Sequence, residues 1–247
     1  MRRDYTEVFQ DPAVVEKYEH LVYAPDSYAS AVNQRQRRYL RRLVKRAFPV
    51  RRPVQHDFAC GTGRAIRLLH GLVRAAHGYD TSALMLAKAA EVGAFASLHR
   101  VDATGPVPEP VPSACPTIVT VFRTLLSADQ STRDRAIEFA TRVLPHWESG
   151  LLVVENHGNR SSLRHFRNRR HEGEPWFGEL SHEEVTELLV RHGFQVVERR
   201  GFAVLPRGWY AFRGLRLPAR GADELASRIG WLSRWSVNVL YVARRID

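Results

Sequence analysis

The segment Val54–Arg64, VQHDFACGTGR, constrains this chain more than any other. A short apolar run reaches the acidic residue Asp57. Five small residues, Ala59-Cys60-Gly61-Thr62-Gly63, then make a tight turn. Ala65, Ile66, Leu68, Leu69 and Leu72 follow at the spacing of an amphipathic helix. Gly61 and Gly63 permit positive φ and let a ligand approach the backbone with no Cβ in the way. The helix start offers unpaired N–H groups and partial positive charge. A strand–turn–helix of this kind is a cradle for an adenosine-bearing cofactor.

The glycine spacing selects among cofactors. A dinucleotide fingerprint, G-x-G-x-x-G, would need a third glycine where Ile66 stands, and no Gly-Lys-Ser/Thr ending makes a phosphate loop. A second apolar run, His77-Gly78-Tyr79-Asp80, ends in an acidic residue 23 positions after Asp57. A carboxylate there can accept both hydroxyls of a ribose. A third, Leu98-His99-Arg100-Val101-Asp102-Ala103, carries Asp102 at its tip. Each of the three aspartates ends a strand, at the edge where open α/β sheets bind ligands.

Together these residues resemble motif I and the following strands of the class I S-adenosylmethionine-dependent methyltransferases, with Ala59 in place of the first glycine of acidic-x-G-x-G-x-G. The resemblance implies S-adenosylmethionine as cofactor. It implies that Asp57, Ala59, Gly61 and Gly63 form the turn beneath it, that Asp80 and Thr81 meet the ribose, and that Asp102 and Ala103 meet the adenine. Phe122, just past the fourth strand, completes the expected pocket. Val14-Val15-Glu16-Lys17-Tyr18 looks like the N-terminal lid helix of small-molecule methyltransferases, in which a tyrosine closes over the methionine end; Tyr18 is equally readable as a core aromatic.

The rest of the chain alternates regularly. Helical patterns occupy 1–50, where Tyr39, Leu40, Leu43, Val44, Ala47 and Phe48 form an apolar stripe flanked by Arg37, Arg38, Arg41, Arg42, Lys45 and Arg46. Strands are expected at 54–58, 76–79, 95–101, 116–122, 151–156, 194–201 and 237–244, with helices at 63–74, 82–92, 130–144 and 181–192. Ser181-His182-Glu183-Glu184 is a capping box, and Gly193 stops that helix. The proline-rich stretch 105–116 cannot be regular. Alternation of this kind gives a Rossmann-like, doubly wound, mostly parallel sheet. The family resemblance makes it seven-stranded with a reversed final hairpin. A single domain over 1–247 is expected: a helical lid at 1–50, a core at 51–202 and 237–247, and a cap insertion at 203–236.

The 247 residues carry a formal charge of +11, almost all of it arginine. The arginines are dispersed, with denser blocks at 35–52 and 160–170, and neither block has the aromatic interleaving of a nucleic-acid platform. No nucleic-acid partner is therefore expected. No apolar run is long enough for a membrane span, and with no apolar stretch after Met1-Arg2-Arg3-Asp4-Tyr5 a secretory leader is not expected. Cys60 and Cys115 read as free thiols, which suits the cytoplasm. The eleven histidines show no metal-ligand spacing, so no metal is expected.

Candidate chemistry falls beyond the fourth and fifth strands. His157 is the best candidate for a general base, because an unperturbed imidazole titrates near neutrality; the alternative is a hydrogen-bonded loop residue. Arg123 could hold an anionic acceptor or brace the lid. Trp209 and Tyr210, in the aromatic stretch 203–236, are candidate acceptor contacts. The pattern as a whole reads as methyl transfer to a small-molecule oxygen or nitrogen in specialised metabolism, by a monomer or homodimer. The alternatives are an RNA or lipid-surface methyltransferase and a non-catalytic S-adenosylmethionine-binding protein.

Overall fold

The computed structural model describes residues 11, 15–16, 27–168, 178–205, 209, 214, 216–229, 232 and 234–246. Seven strands form one sheet: β1 (Val54–Phe58), β2 (Ala75–Asp80), β3 (Ser97–Arg100), β4 (Thr117–Val121), β5 (Gly150–Asn156), β6 (Phe194–Phe202) and β7 (Asn238–Arg245). Their order is β3-β2-β1-β4-β5-β7-β6. The first five strands are parallel, and β7 runs antiparallel between β5 and β6. The reversed final hairpin implied by the resemblance is therefore present. Winding reverses between β1 and β4, and ligands of open α/β sheets bind beyond the strand ends at such a switch point.

Burial explains the order. β1, β4 and β5 are buried at every position, as central parallel strands covered on both faces must be. The edge strands β3 and β6 are not. On one face lie α4 (Gln130–Val143) and α6 (His182–Arg191), packed on Phe58, Tyr79, Val119, Val121, Leu152, Val154 and Tyr241. On the other lie α1 (Tyr28–Ala47) and α2 (Arg64–Leu69), packed on Ile118, Leu151, Val153, Leu240 and Val242. Next to them α3 (Ala83–Glu91) covers Cys60, Ile66 and Ala76. Two further helices, α5 (Leu163–Asn168) and α7 (Arg216–Arg228), lie in the long connections after β5 and β6.

The predicted apolar stripe of α1 is its buried side, through Leu40, Leu43 and Val44, and Arg37, Arg38, Arg42, Lys45 and Arg46 are exposed. The Ser181 capping box is present, with Glu184 returning its bond. Both cysteines are free thiols. Two expectations fail at their ends. The helix predicted over 63–74 stops at Leu69, because His70 turns extended and Gly71 enters the left-handed region at φ +79°. The strand predicted over 95–101 shrinks to Ser97–Arg100, since β3 pairs on one side only and ends where its pairing with β2 ends. The irregular stretch after it is pinned from outside: the Arg135 guanidinium donates to the carbonyls of Asp102 (2.6 Å), Gly105 and Pro106 (3.0 Å).

Candidate active site

Three residues between β1 and α2 adopt left-handed backbone: Ala59 at φ 55°, Gly61 at φ 53° and Gly63 at φ 73°. The two glycines serve different ends. A Cβ on Gly63 would meet the Ala94 Cβ at 2.4 Å, so this glycine lets α2 pack tightly. A Cβ on Gly61 would meet nothing within 4 Å, so this glycine faces open space. Ala59 holds the same backbone with a side chain attached, at a cost of about 1 kcal/mol.

The Asp80 carboxylate sits at the C-terminal end of β2 and organises the turn. It accepts the Gly61 N–H at 2.7 Å and the Ser82 N–H at 2.9 Å. Burial pushes its pKa up, and those backbone bonds oppose the shift. Asp57 lies deeper. It is buried between β1 and β4, where the Thr120 hydroxyl donates to it at 2.6 Å. Burial pushes its pKa up to about 7 against that hydrogen bond. Thr81 is half-buried beside Asp80. Asp102 and Ala103 are exposed, and the Asp102 carboxylate closes its own turn by accepting the Thr104 N–H at 2.9 Å. Tyr18 and Tyr210 lie outside the described residues, and Trp209 is exposed.

The other half of the strand edge is built from buried charge. Arg64, the first residue of α2, donates to Glu155 Oε2 at 2.8 Å, to Asn33 Oδ1 at 2.8 Å and to the Gln36 side-chain carbonyl. Gln36 donates in turn to Glu155 Oε1 at 2.7 Å. The network locks α1 onto the turn and onto the tip of β5. Burial alone would raise the Glu155 pKa, but Arg64, with His157 and Arg123 behind it, holds it at about 2. The Arg64 guanidinium also lies over the Phe122 ring, 5.6 Å from its centroid. Phe122 is itself buried in the core between the sheet and α1.

Arg123 follows at the β4 tip with φ 59°, a left-handed backbone without glycine. His157 stands past the β5 tip, half-buried, with Nδ1 buried and without a hydrogen-bond partner among the described residues. Burial, then Arg123, lowers its pKa to about 3; Arg64 and Arg164 add to this and Glu155 opposes it. The imidazole is thus neutral at physiological pH. The surrounding loop is fixed by Asn156, which donates to Leu180 O at 2.9 Å and accepts the Gly158 N–H at 3.1 Å. Asn159 ties it to the carbonyls of Arg234 and Ser236, at 2.9 and 2.8 Å.

The structure therefore brings Gly61, Asp57 and Asp80 together at one side of the switch point, and Phe122, Arg123 and His157 at the other. The chain reading did not single out Asn33, Gln36, Arg64 and Glu155. One signal for them exists: a glutamate inside the apolar run Leu151–Val154 and its continuation needs a buried cation. Among the described residues no group of three or more His, Cys, Asp or Glu side chains could hold a metal ion, and no helix is long and apolar enough to cross a membrane.

No protein-family model and no curated protein matches the sequence. Solved structures do match. A Haloferax volcanii chain from a complex between the Trm112 methyltransferase activator and its candidate methyltransferase is 15% identical, with a TM-score of 0.58 and 100% of each chain covered. Magnesium protoporphyrin IX methyltransferase from Synechocystis, with bound S-adenosylhomocysteine, is 12% identical at a TM-score of 0.57, covering 95% of this chain and 100% of that one. The chain has the class I S-adenosylmethionine-dependent methyltransferase fold. The [4+2]-cyclase SpnF is also similar, 21% identical at a TM-score of 0.53, covering 89% of this chain and 83% of that chain. Within this methyltransferase fold, the glycine turn and Asp80 lie on the β2 side of the switch point, and Arg123 and His157 lie on the β5 side.

Proposed function

We propose that this protein binds S-adenosylmethionine and transfers its methyl group to an oxygen or nitrogen of a small molecule. The observation that carries this reading is the open, left-handed Gly61 beside a buried Asp80 carboxylate at the β2 tip of a methyltransferase-type sheet. Similar folds hold S-adenosylhomocysteine and S-adenosylmethionine. When bound, the cofactor supplies an electrophilic methyl group on a sulfonium. Gly61 and the turn would seat it, and Asp80 would turn its remaining lone pairs to the ribose hydroxyls. Thr81, Asp102, Ala103, Phe122 and Tyr18 are proposed to complete that pocket.

The acceptor would lie past the β4 and β5 tips, with Arg123, Trp209 and Tyr210 around it. His157 would orient the acceptor through a hydrogen bond. A pKa of about 3 makes its imidazole a weak base. That suffices where methylation itself makes the departing proton strongly acidic. On this reading His157→Ala lowers turnover more than it lowers cofactor affinity. The helix α1 and the stretch 203–236 would act as lid and cap, in one cytoplasmic enzyme serving natural product biosynthesis.

A second reading has its own support. The exposed arginines of α1 and a charge of +11 suit an RNA or anionic lipid surface. SpnF shares the fold and is a cyclase, so cofactor binding without methyl transfer is the third reading. The test is incubation with methyl-labelled S-adenosylmethionine and, separately, a small-molecule extract, total RNA and anionic vesicles. Label in the extract with matching S-adenosylhomocysteine supports the first reading. Label only in RNA or lipid overturns it in favour of the second, and binding without any label favours the third.

A further inference from the structure

We propose that the edge of the sheet opposite the candidate site docks on an anionic membrane surface, with arginine and lysine side chains on the lipid headgroups and Val50 and Phe95 inserted between them. This goes beyond the reading above and does not rest on it. The bilayer is an anchor here, while the acceptor reaches the opposite edge from water.

Three observations lead there. First, the parts share one edge. β1 to β5 run parallel, so their starts lie together, and the glycine turn, Arg123 and His157 lie at their other ends. At about 3.3 Å per residue, β1 keeps the two edges roughly 15 Å apart. Helix α1 ends at the starting edge, and Val50, Arg51 and Arg52 lead from it into β1. Contacts tie the rest to it. The Arg41 guanidinium donates to His70 O at 2.9 Å, and the His70 ring lies 4.7 Å from that of Phe95. The Arg74 N–H donates to Pro53 O at 2.8 Å.

Second, this edge presents apolar side chains to solvent. Val50 is 90% exposed and Phe95 72%, the two highest values among the large apolar residues described. Pro49 and Pro53 bracket Val50 and stiffen the segment that carries it. Third, the same edge is basic. Arg42, Lys45, Arg51, Arg52 and Arg74 are exposed, and among the described residues their side chains make no hydrogen bond or ion pair. Cations beside protruding apolar groups suit the headgroup boundary of a bilayer. The charges stay with anionic headgroups, and the apolar tips reach the acyl chains. A nucleic acid would instead be held by aromatic faces set between the cations. Val50 is aliphatic and offers no such face, and the Phe95 ring already rests against His70.

The experiment is co-sedimentation of the full chain with two kinds of vesicle at about 0.1 M salt. One is phosphatidylcholine alone, the other equimolar phosphatidylcholine and phosphatidylglycerol. Binding to the anionic vesicles should be at least about tenfold tighter, and should weaken at least about fivefold at about 0.5 M salt. Arg51→Gln with Arg52→Gln should weaken it about tenfold. Val50→Ser with Phe95→Ser should weaken it about fivefold. All four side chains are exposed, so Tm should stay within about 2 °C, which circular dichroism checks. Arg191→Gln with Arg199→Gln removes the same charge from exposed positions on α6 and β6, and should change binding less than about twofold. Equal binding to both vesicles, or none to either, would overturn the proposal. So would full binding by the Val50 and Phe95 pair. An equal loss in the Arg191 and Arg199 pair would reduce the effect to net charge and overturn it too. Total RNA is the last arm. RNA held more tightly than the anionic vesicles, and lost in the Arg51 and Arg52 pair, would give the surface to a nucleic acid instead. No arm contains S-adenosylmethionine or an acceptor, so the outcome is separate from that of the methyltransferase reading.

Discussion

The two sides of the switch point are built in different ways. On the β2 side, one short segment does the work: three left-handed residues within five positions, steadied by a carboxylate 19 residues on. On the β5 side, the parts come from far apart. Arg64 and Glu155 are separated by 91 residues, Gln36 and Glu155 by 119. Next to Gln36 on α1, Arg35 pairs with the buried Asp223 of α7 across 188 residues, at 2.6 Å. The first side is backbone shape and tolerates little change of form. The second is paired charge and tolerates little change of partner.

The largest effect should come from unpairing that charge. Glu155→Ala leaves Arg64 buried and Gln36 without its acceptor, and should cost about 3–5 kcal/mol in urea unfolding. A loss below about 1 kcal/mol would mean that the network is solvated and that the contrast fails.

The next test separates the two glycines. Gly63→Ala combines left-handed strain with a 2.4 Å approach to Ala94, and should cost about 2–4 kcal/mol. Gly61→Ala carries strain alone and should cost about 1 kcal/mol, yet weaken cofactor binding the more strongly of the two. Equal stability losses would show that Gly61 is packed rather than open.

A smaller effect depends on pH. His56 stacks with His77, their centroids 5.1 Å apart, and bonds Tyr79 at 3.1 Å. Burial, then His77 and His99, lowers its pKa to about 4. The unfolded chain therefore binds this proton first. Its contribution is complete above about pH 6.5 and is lost as pH falls toward 4, roughly 2 kcal/mol by pH 5. Asp57, pushed up to about 7, runs in the opposite sense over the same window, so the wild-type curve alone is uninformative. The difference between wild type and His56→Gln should shift by about 2 kcal/mol in favour of the variant between pH 7 and pH 5. A flat difference would place the His56 ring in contact with water. Smallest of all, Ala59→Gly should relieve left-handed strain and stabilise by up to about 1 kcal/mol, seen as a raised Tm. A lowered Tm would mean that the methyl packs well enough to outweigh it.

The same contrast explains what could be read from the chain. The Asp57–Gly63 turn was legible because its conformation is written in adjacent residues. The doubly wound sheet followed from alternation, and its seven strands and reversed final hairpin from the resemblance. Asp102 was expected at a strand tip, but an edge strand stops where its single neighbour stops, which no local pattern encodes. Arg64 falls in the helix expected at 63–74 and Glu155 in the strand expected at 151–156, and neither pattern marks them as partners. Their pairing depends on β1, β4 and β5 lying side by side, and that adjacency is known only once the sheet is assembled.

The most direct test of this division of labour is calorimetric titration of S-adenosylhomocysteine into wild type, Asp80→Asn and Arg123→Gln. The predicted result is a dissociation constant on the order of micromolar for wild type. Asp80→Asn should weaken it at least about tenfold, and Arg123→Gln should leave it within about twofold. No binding by wild type, or an equal loss in both variants, would contradict the assignment of the cofactor to the β2 side of the sheet.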